Sequence, residues 1–461
     1  MFMQILMMPN EKTLAIIGEQ PVFANKDYRF MKYCLVRDFN EGKIIYNGLT
    51  SCMVMLAYDE LAEIGNINKY AFLYKNYFLV PEDFNEMKIV DDTRNQLRSP
   101  IDDLYLNNPI TFTILTTTRC NARCFYCYEL HKKNKKHMTQ EVADKVADYI
   151  HSYAPMNRPV NLNFFGGEPL FNQKPIDTIV NKLMEYNRSF RTELTTNGYL
   201  FDKNLVIKAK NIWNLKSAQI TIDGTESVYN KTKNYIYKDG ISPYKKVLNN
   251  IAMLMNYGIM VMIRLNIDLY NAEDLQKLVI EIHNRFGNHP NLYIYAWPIF
   301  EDETNVKTPE EHAKVFEELK KLENTLDKCG YFYGYNPPNS MRIYQCMADD
   351  GSSVLIDPSG NLGTCEHLID SNFWGHIDDP LQKNFDELNK WRCYESPIDL
   401  CEDCPLYPIC NRPTYCEEMS KCDKYYQEWR IRRHLNGLDK AYLGNKGLNN
   451  YMPYKLSENV N

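Results

Sequence analysis

The sequence has no apolar run long enough to cross a bilayer. Its first eight residues, Met1 to Met8, are apolar, but Gln4 interrupts them, Pro9 stops them and no basic segment precedes them. That is neither a membrane span nor a secretory signal. A surplus of positive charge is also missing: 53 Lys and Arg stand against 59 Asp and Glu, for a formal charge of -6. Such a balance gives no electrostatic footprint for nucleic acid. The one dense basic run, Lys132-Lys133-Asn134-Lys135-Lys136-His137, reads as a solvated face. A cytoplasmic protein with no membrane or nucleic-acid partner is the expectation.

A further shortage is more informative. Cys120-Asn121-Ala122-Arg123-Cys124-Phe125-Tyr126-Cys127 spaces three cysteines as C-x3-C-x2-C behind an apolar run at 110–115, and no fourth cysteine is near. Structural zinc takes four ligands, and a closed four-iron cluster takes four cysteines. Three thiols on a loop leaving a strand can therefore hold a centre with one position open to a substrate or cofactor. The plainer reading is three reduced thiols, or part of a zinc knuckle.

Cysteine itself is plentiful, with 14 in the chain and nine of them from Cys329 to Cys422. In a reducing compartment such clustering favours metal ligation over disulfides. Cys346 and Cys365 flank a hairpin-like run at 355–362. Cys401, Cys404, Cys410, Cys416 and Cys422 follow, with Pro405, Pro408 and Pro413 stiffening the segment. Seven thiols suffice for most of two metal centres, and spacing alone leaves zinc and iron both open.

At 461 residues the chain exceeds what one core normally supports. Residues 1–105 read as a small α+β domain. A three-stranded meander at 28–39, 42–49 and 51–57 leads to helical stretches at 59–64, 69–80 and 82–95, of which 77–80 could instead extend as a strand. Residues 106–328 alternate strand and helix. The strands fall at 110–115, 160–165, 191–195, 218–222, 260–267 and 292–297; the helices fall at 139–152, 175–186, 203–209, 244–257, 273–286 and 309–328. This alternation predicts a parallel sheet with right-handed crossovers, as a partial barrel or an open sheet, with its chemistry at the carboxyl ends of the strands. The cysteine loop lies at the first such end. The second carries Gly166-Gly167-Glu168-Pro169, in which paired glycines permit close backbone approach to a ligand and Glu168 offers a carboxylate to a cationic amine. Thr195-Thr196-Asn197-Gly198 and Thr221-Ile222-Asp223-Gly224 end the third and fourth. Residues 329–435 form the cysteine-rich block, closed by a helix at 423–435, and 436–461 reads as an irregular tail.

The cysteine loop after the first strand, Gly-Gly-Glu-Pro after the second and the strand alternation together resemble the radical S-adenosylmethionine (SAM) superfamily. The array from Cys346 to Cys422 resembles the SPASM extension of its peptide- and protein-modifying members. The resemblance implies a partial (β/α)6 TIM-like barrel with a [4Fe-4S] cluster on Cys120, Cys124 and Cys127, its open iron chelated by SAM. It assigns Gly166, Gly167 and Glu168 to the methionine amino group and the backbone of Tyr126, next to Phe125, to the adenine. Thr196, Asn197, Asp223 and Arg264 become candidates for the ribose and carboxylate. It also implies one or two auxiliary clusters, with Cys401, Cys404, Cys410 and Cys422 on one and Cys346, Cys365 and Cys416 on the other. Two departures stand out. Five residues separate Cys410 from Cys416, where members commonly have three, and no cysteine lies shortly before Cys346. Cys329 and Cys393 are substitutes for that fourth ligand, unless an iron stays open.

The N-terminal pattern resembles the winged-helix-like peptide-recognition element of enzymes that mature ribosomally made peptides, which binds a leader as an added strand. The implied reaction is reductive cleavage of SAM to a 5′-deoxyadenosyl radical, with an electron from a flavodoxin or ferredoxin. Hydrogen abstraction from a precursor peptide then leads to a thioether or carbon–carbon crosslink. A sulfatase maturase that forms formylglycine is the competing reading; Glu366 follows Cys365 where that subfamily typically has Asp, a shift that counts against it, and Glu366 remains a candidate acid–base. A non-catalytic metal-bound peptide carrier is a third, opposed by the intact Cys120, Cys124, Cys127 and Glu168.

Overall fold

In the computed structural model the described residues are 3–106, 109–129, 135–237, 240–299, 306–331, 334–344, 346–349, 351–368, 373–390, 399–410 and 422–445. Lys132, Lys133, Cys393 and Cys416 lie outside them, as does the tail beyond residue 445. The chain forms two compact units. A barrel unit comprises Leu104–Tyr333 and Met347–Tyr394; an end unit comprises Met1–Asp103, Gly334–Cys346 and Glu395–Asn461.

The barrel unit is built on six parallel strands: β1 (Thr111–Thr117), β2 (Val160–Gly166), β3 (Phe190–Thr196), β4 (Leu215–Thr221), β5 (Met260–Ile267) and β6 (Leu292–Pro298). Each pairs with the next in sequence, making a partial (β/α)6 barrel. Alternation explains them: Leu162 and Phe164, Val261 and Ile263, and Ile294 and Ala296 are buried while the residues between them are less so. Crossover helices start at polar caps. Thr139 accepts from Val142 N–H, Asp202 from Leu205 N–H, and Thr308 forms a reciprocal capping box with Glu311. The expected strands and helices of this region all occur, with ends displaced by up to three residues.

Two features of the barrel unit escape the pattern. Strand β7 (Ser353–Ile356) lies parallel to β1 and forms a hairpin with β8 (Asn361–Gly363), which β9 (Gly375–His376) extends. The hairpin is locally legible, but its addition to a strand some 240 residues earlier is not. A helix at Glu226–Lys233 was also not anticipated. Its sequence, Glu-Ser-Val-Tyr-Asn-Lys-Thr-Lys, carries little apolar periodicity.

The end unit contains a four-stranded antiparallel sheet in the order Gln4–Met7, Met53–Ala57, Gly42–Asn47, Cys34–Phe39. The meander is present, but the single strand expected at 28–39 is broken. Tyr28–Phe30 turns away to pair with Leu79–Pro81, and Cys34 N–H returns to Met31 C=O at 3.2 Å. That pairing also shortens the helix expected at 69–80 to Ala71–Lys75, and the helix expected at 82–95 runs as Glu86–Leu106.

The segment after residue 395 folds into this same unit. Leu406 and Ile409 pack with Ile44, Tyr46, Met53 and Met55 of the meander and with Leu438 and Tyr442. Tyr407 donates to Asp91 at 2.5 Å, its carbonyl accepts from Arg94 at 2.9 Å, and Arg37 makes a bidentate pair with Asp439 at 2.8 and 2.6 Å. The irregular tail expected from 436 is corrected accordingly: the helix Lys424–Asn445 continues because Leu438 and Tyr442 are buried, each worth roughly 1.5–3 kcal/mol. The block 329–435 is thus divided between the two units.

Candidate active site

The cysteine loop leaves β1 through two threonines that pin it. Thr116 donates to Pro169 C=O at 3.1 Å, Thr117 to Lys136 C=O at 2.9 Å, and the Thr117 hydroxyl accepts from Arg119 N–H at 2.9 Å. Cys120 then accepts from Ala122 N–H at 3.3 Å, and Cys127 N–H donates to Cys124 C=O at 3.1 Å. The three thiols influence one another electrostatically. Burial pushes Cys120 up to about 12 and Cys124 up to about 11, so the thiols are protonated until a metal displaces their protons. Among the described residues, no three His, Cys, Asp or Glu side chains crowd a single metal-ion position. Three thiols on one short loop nevertheless suit iron, which thiolates hold as clusters. The buried amide Nδ2 of Asn121, within that loop, has no hydrogen-bond partner and is free to serve a bound group.

The Gly-Gly-Glu-Pro segment lies directly against this loop. Gly167 N–H donates to Thr117 C=O and Glu168 N–H to Arg119 C=O, both at 3.0 Å. A Cβ on Gly166, at φ +122, would meet Thr117 O at 2.1 Å, and one on Gly167 would meet Arg119 O at 2.4 Å. The glycines therefore serve the approach of two backbone segments, a reason the sequence reading had assigned to a ligand.

Glu168 is fully buried. Its Oε1 accepts from the Thr196 hydroxyl at 2.7 Å and Leu170 N–H at 3.1 Å, and its Oε2 from Asn197 N–H at 2.8 Å. Burial still prevails over these bonds and lifts its pKa to about 7. Asn197 in turn donates to Asn121 Oδ1 at 2.7 Å. Thr196, Asn197, Glu168 and the cysteine loop are thus one hydrogen-bonded network at the ends of β1, β2 and β3.

A second network surrounds Tyr126. Its hydroxyl donates to Asp223 Oδ2 at 2.8 Å and accepts from Lys233 Nζ at 3.0 Å. Lys233 also reaches Asp223 at 2.8 Å and the Thr221 hydroxyl at 2.7 Å. Asn266 donates to Asp223 Oδ1 at 3.2 Å and accepts from Arg264 Nε at 2.8 Å. Asp223 and Lys233 are 0% and 2% exposed. Burial opposes the charge on Lys233, but Asp223 and Tyr126 hold it well above the ordinary lysine range. Lys233 also opposes, electrostatically, the burial that raises Cys124. Sequence reasoning named Tyr126, Asp223 and Arg264 but missed Lys233, because the helix that carries it was missed. A polar residue ten positions beyond the Asp-Gly strand end was the available signal.

Glu366 belongs to the barrel unit, in the short 3-10 turn Glu366–Leu368. Burial raises its pKa, the charge of Arg264 opposes the shift, and its Oε2 has no partner. The next residue, His367, stacks on Tyr128 of the cysteine loop with ring centroids 4.3 Å apart. Cys365 lies in the barrel unit and Cys346 in the end unit.

In the end unit, Cys404 N–H donates to Cys401 C=O at 3.1 Å, Tyr407 N–H to Cys404 C=O at 3.0 Å, and Cys410 N–H to Tyr407 C=O at 3.5 Å. This wound knuckle is held from below by Leu406 and Ile409.

The sequence model of the Radical SAM superfamily matches residues 114–281. An uncharacterized protein of Methanocaldococcus jannaschii is 24% identical over 60% of this chain and 92% of its own length. The radical SAM cyclopropyl synthase TigE of Paramaledivibacter caminithermalis is 23% identical over 51% of this chain. A serine-type anaerobic sulfatase-maturating enzyme of Bacteroides thetaiotaomicron is 28% identical over 40% of it. The matches span only 58% and 44% of those two relatives.

Among solved structures, anSMEcpe with bound AdoMet superposes with TM-score 0.54 at 15% identity, covering 74% of this chain and 96% of that one. Streptococcus suis SuiB bound to precursor peptide SuiA gives 0.50 at 13%, covering 87% and 100%. At these identities the likeness is one of fold. Among the described residues no helix is long and apolar enough to cross a membrane. The three-cysteine loop and the Glu168 network both fall within residues 114–281, the part of the chain that matches the Radical SAM superfamily.

Proposed function

We propose that the protein modifies a ribosomally made precursor peptide, closing a thioether or carbon–carbon crosslink within it. The observation that carries this reading is the end unit. A small antiparallel sheet of the kind that binds peptides by strand addition shares one compact body with the cysteine knuckle Cys401–Cys410. Support comes also from SuiB, whose fold is similar and whose structure holds a precursor peptide.

In this reading Cys120, Cys124 and Cys127 hold a [4Fe-4S] cluster, and SAM binds it with its amino group at Glu168. Bound there, the pair supplies a 5′-deoxyadenosyl radical on one-electron reduction. The chain's own residues do the positioning. Thr196, Asn197 and Leu170 fix the Glu168 carboxylate, and Lys233 with Asp223 fixes Tyr126 beside the loop. Arg264 is offered to the ribose or carboxylate of SAM, and Glu366 to the substrate as acid–base. Cys401, Cys404, Cys410 and Cys422 hold an auxiliary cluster. The electron donor is a flavodoxin or ferredoxin, and the compartment is the cytoplasm.

One observation favours a second reading. Glu366 has an unpartnered, buried oxygen and follows Cys365, next to which a formylglycine-forming enzyme typically has an Asp base. The test is full-length, anaerobically reconstituted enzyme with SAM, dithionite and any short peptide found encoded next to its gene, read by tandem mass spectrometry. Loss of two hydrogens with a fragmentation gap spanning two residues supports the crosslink. A product that reacts with hydrazide at one residue supports formylglycine and ends the crosslink reading. Deleting residues 1–105 is a poor test of leader binding, since it would remove most of the end unit.

A further inference from the structure

The barrel strands have two unlike faces. On one, Leu162, Phe164, Leu194, Ala218, Ile220 and Ile263 are buried, as on a side that crossover helices cover. The other, the barrel's inner face, carries the Thr221 hydroxyl that holds Lys233 of the Tyr126 network at 2.7 Å. Closed barrels usually fill that face with branched apolar side chains. Here it is polar and half-buried, with Asn161, Asn163, Arg191, Glu193, Gln219 and Arg264.

Register stacks the inner-face residues in levels. The lowest joins Thr111, Asn161 and Arg191 across β1, β2 and β3. It is closed on itself: Arg191 Nε donates to Asn161 Oδ1, and Asn161 Nδ2 donates to the Thr111 hydroxyl at 3.3 Å. The next level sets Asn163 beside Glu193, and Glu193 beside Ser217 of β4. Among the described residues, none of these three side chains has a hydrogen-bond or ion-pair partner. Ser217 is 2% exposed with its Oγ unsatisfied. Above them Gln219 accepts from the Tyr295 hydroxyl at 2.6 Å, and higher still Arg264 Nε donates to Asn266 at 2.8 Å. Bonded levels thus lie above and below one whose carboxylate, amide and hydroxyl all lack partners.

A half-buried carboxylate with no cation beside it is poorly compensated, and it gains most from a charge-assisted bond. The Asn163 amide oxygen and the Ser217 hydroxyl can each accept a further N–H. One anion flanked by two acceptors matches an ammonium or a guanidinium, which are donors only. Adjacent levels are two strand residues apart, about 6.6 Å, a span that the stem of a lysine or arginine crosses. A peptide whose side chain enters at Glu193 would therefore keep its backbone near the level of Thr196, which holds Glu168.

We propose that Glu193, with Asn163 and Ser217, is a subsite for a cationic side chain, lysine or arginine, of the peptide substrate, and that it sets which position is presented for hydrogen abstraction. The proposal rests on the peptide-modifying reading above. Glu193 is a specificity-determining residue and takes no part in the chemistry.

The test has two arms, both on the full chain. In the first, butylammonium and butylguanidinium are the probes, with butanol as the uncharged control, and binding is followed by saturation-transfer NMR. Both cations bind wild type and butanol does not. Their affinity falls at least tenfold in Glu193→Gln, which is isosteric and breaks no bond, and severalfold in Ser217→Ala, while Glu193→Asp keeps most of it. No cation binding by wild type, or no loss in either Glu193→Gln or Ser217→Ala, overturns the proposal. In the second arm, each lysine and arginine of a peptide that the enzyme modifies is replaced in turn by norleucine. One replacement raises KM at least tenfold in wild type and has no further effect in Glu193→Gln, and Glu193→Lys accepts a glutamate at that place. Replacements that act equally on wild type and Glu193→Gln overturn the assignment to a peptide side chain. Wild type that modifies no peptide ends the peptide-modifying reading and the peptide occupant with it, while the first arm still decides whether Glu193 holds a cation.

Discussion

The two units that carry the cysteine sites bury charges of opposite sign. In the barrel unit the loop thiols lie near a carboxylate, Glu168, which is fully buried and bonded by three donors. In the end unit the buried ionisable group is a guanidinium, Arg430, which among the described residues has rings and a hydroxyl but no carboxylate. A buried acid is ready for a cationic ligand such as an amine, while a buried base is ready for something already negative. Cysteine count and spacing do not carry this distinction; the second layer of residues does.

The contrast can be broken most directly at the loop. Cys124→Ala should leave the barrel site unable to hold its cluster and reduce 5′-deoxyadenosine formation to background, while the end unit's iron stays. Loss of all iron together would mean that the sites do not load independently. A slightly smaller effect is expected from Lys233→Met, which strands Asp223 as an unpaired buried charge. The loss should be about 3–5 kcal/mol by denaturant unfolding, and Asp223→Asn in the same chain should restore much of it. An unchanged midpoint would show that the pair is not the buried unit described here.

Glu168 sharpens the comparison through pH. Its folded pKa lies near 7 against an ordinary 4.5, so it binds an ammonium group only after losing a proton. SAM affinity, measured by equilibrium dialysis, should fall about tenfold per unit below pH 7 and level off above it. In ligand-free protein the same raised pKa acts in the opposite sense: its contribution to stability is full below about 4.5 and declines as pH rises through 7. Glu168→Gln should remove the slope in SAM affinity and leave binding weak throughout. The smallest effect is expected at Arg37→Ala. Its pair with Asp439 is partly solvated, so about 0.5–1 kcal/mol of stability is at stake, with the barrel site's SAM affinity unaffected.

The barrel was legible because its information is local. Runs such as Val160–Gly166 alternate on their own, and caps such as Thr308 with Glu311 lie within four residues of what they cap. The Cys120 loop and Glu168 were legible for the same reason. The rest depends on partners far along the chain. Nothing near Ser353 announces its pairing with Thr111, and nothing near Leu438 announces burial against Leu35 and Tyr46. Lys233 was missed because its value comes from Asp223 and Tyr126, supplied by two other segments. Gly166 and Gly167 were found, but their close approach to the oxygens of Thr117 and Arg119 depends on a segment far along the chain.

The strand Gln4–Met7 has a consequence for recognition. It pairs with Met53–Ala57 and so occupies one border of the end unit's sheet. A peptide that is to pair with Met53–Ala57 cannot simply dock. It must exchange with residues already in register, and the observed affinity becomes the difference between two similar ladders of backbone hydrogen bonds. Selectivity then comes from side chains, since the backbone terms nearly cancel, and the arrival rate is limited by how often the resident strand lets go.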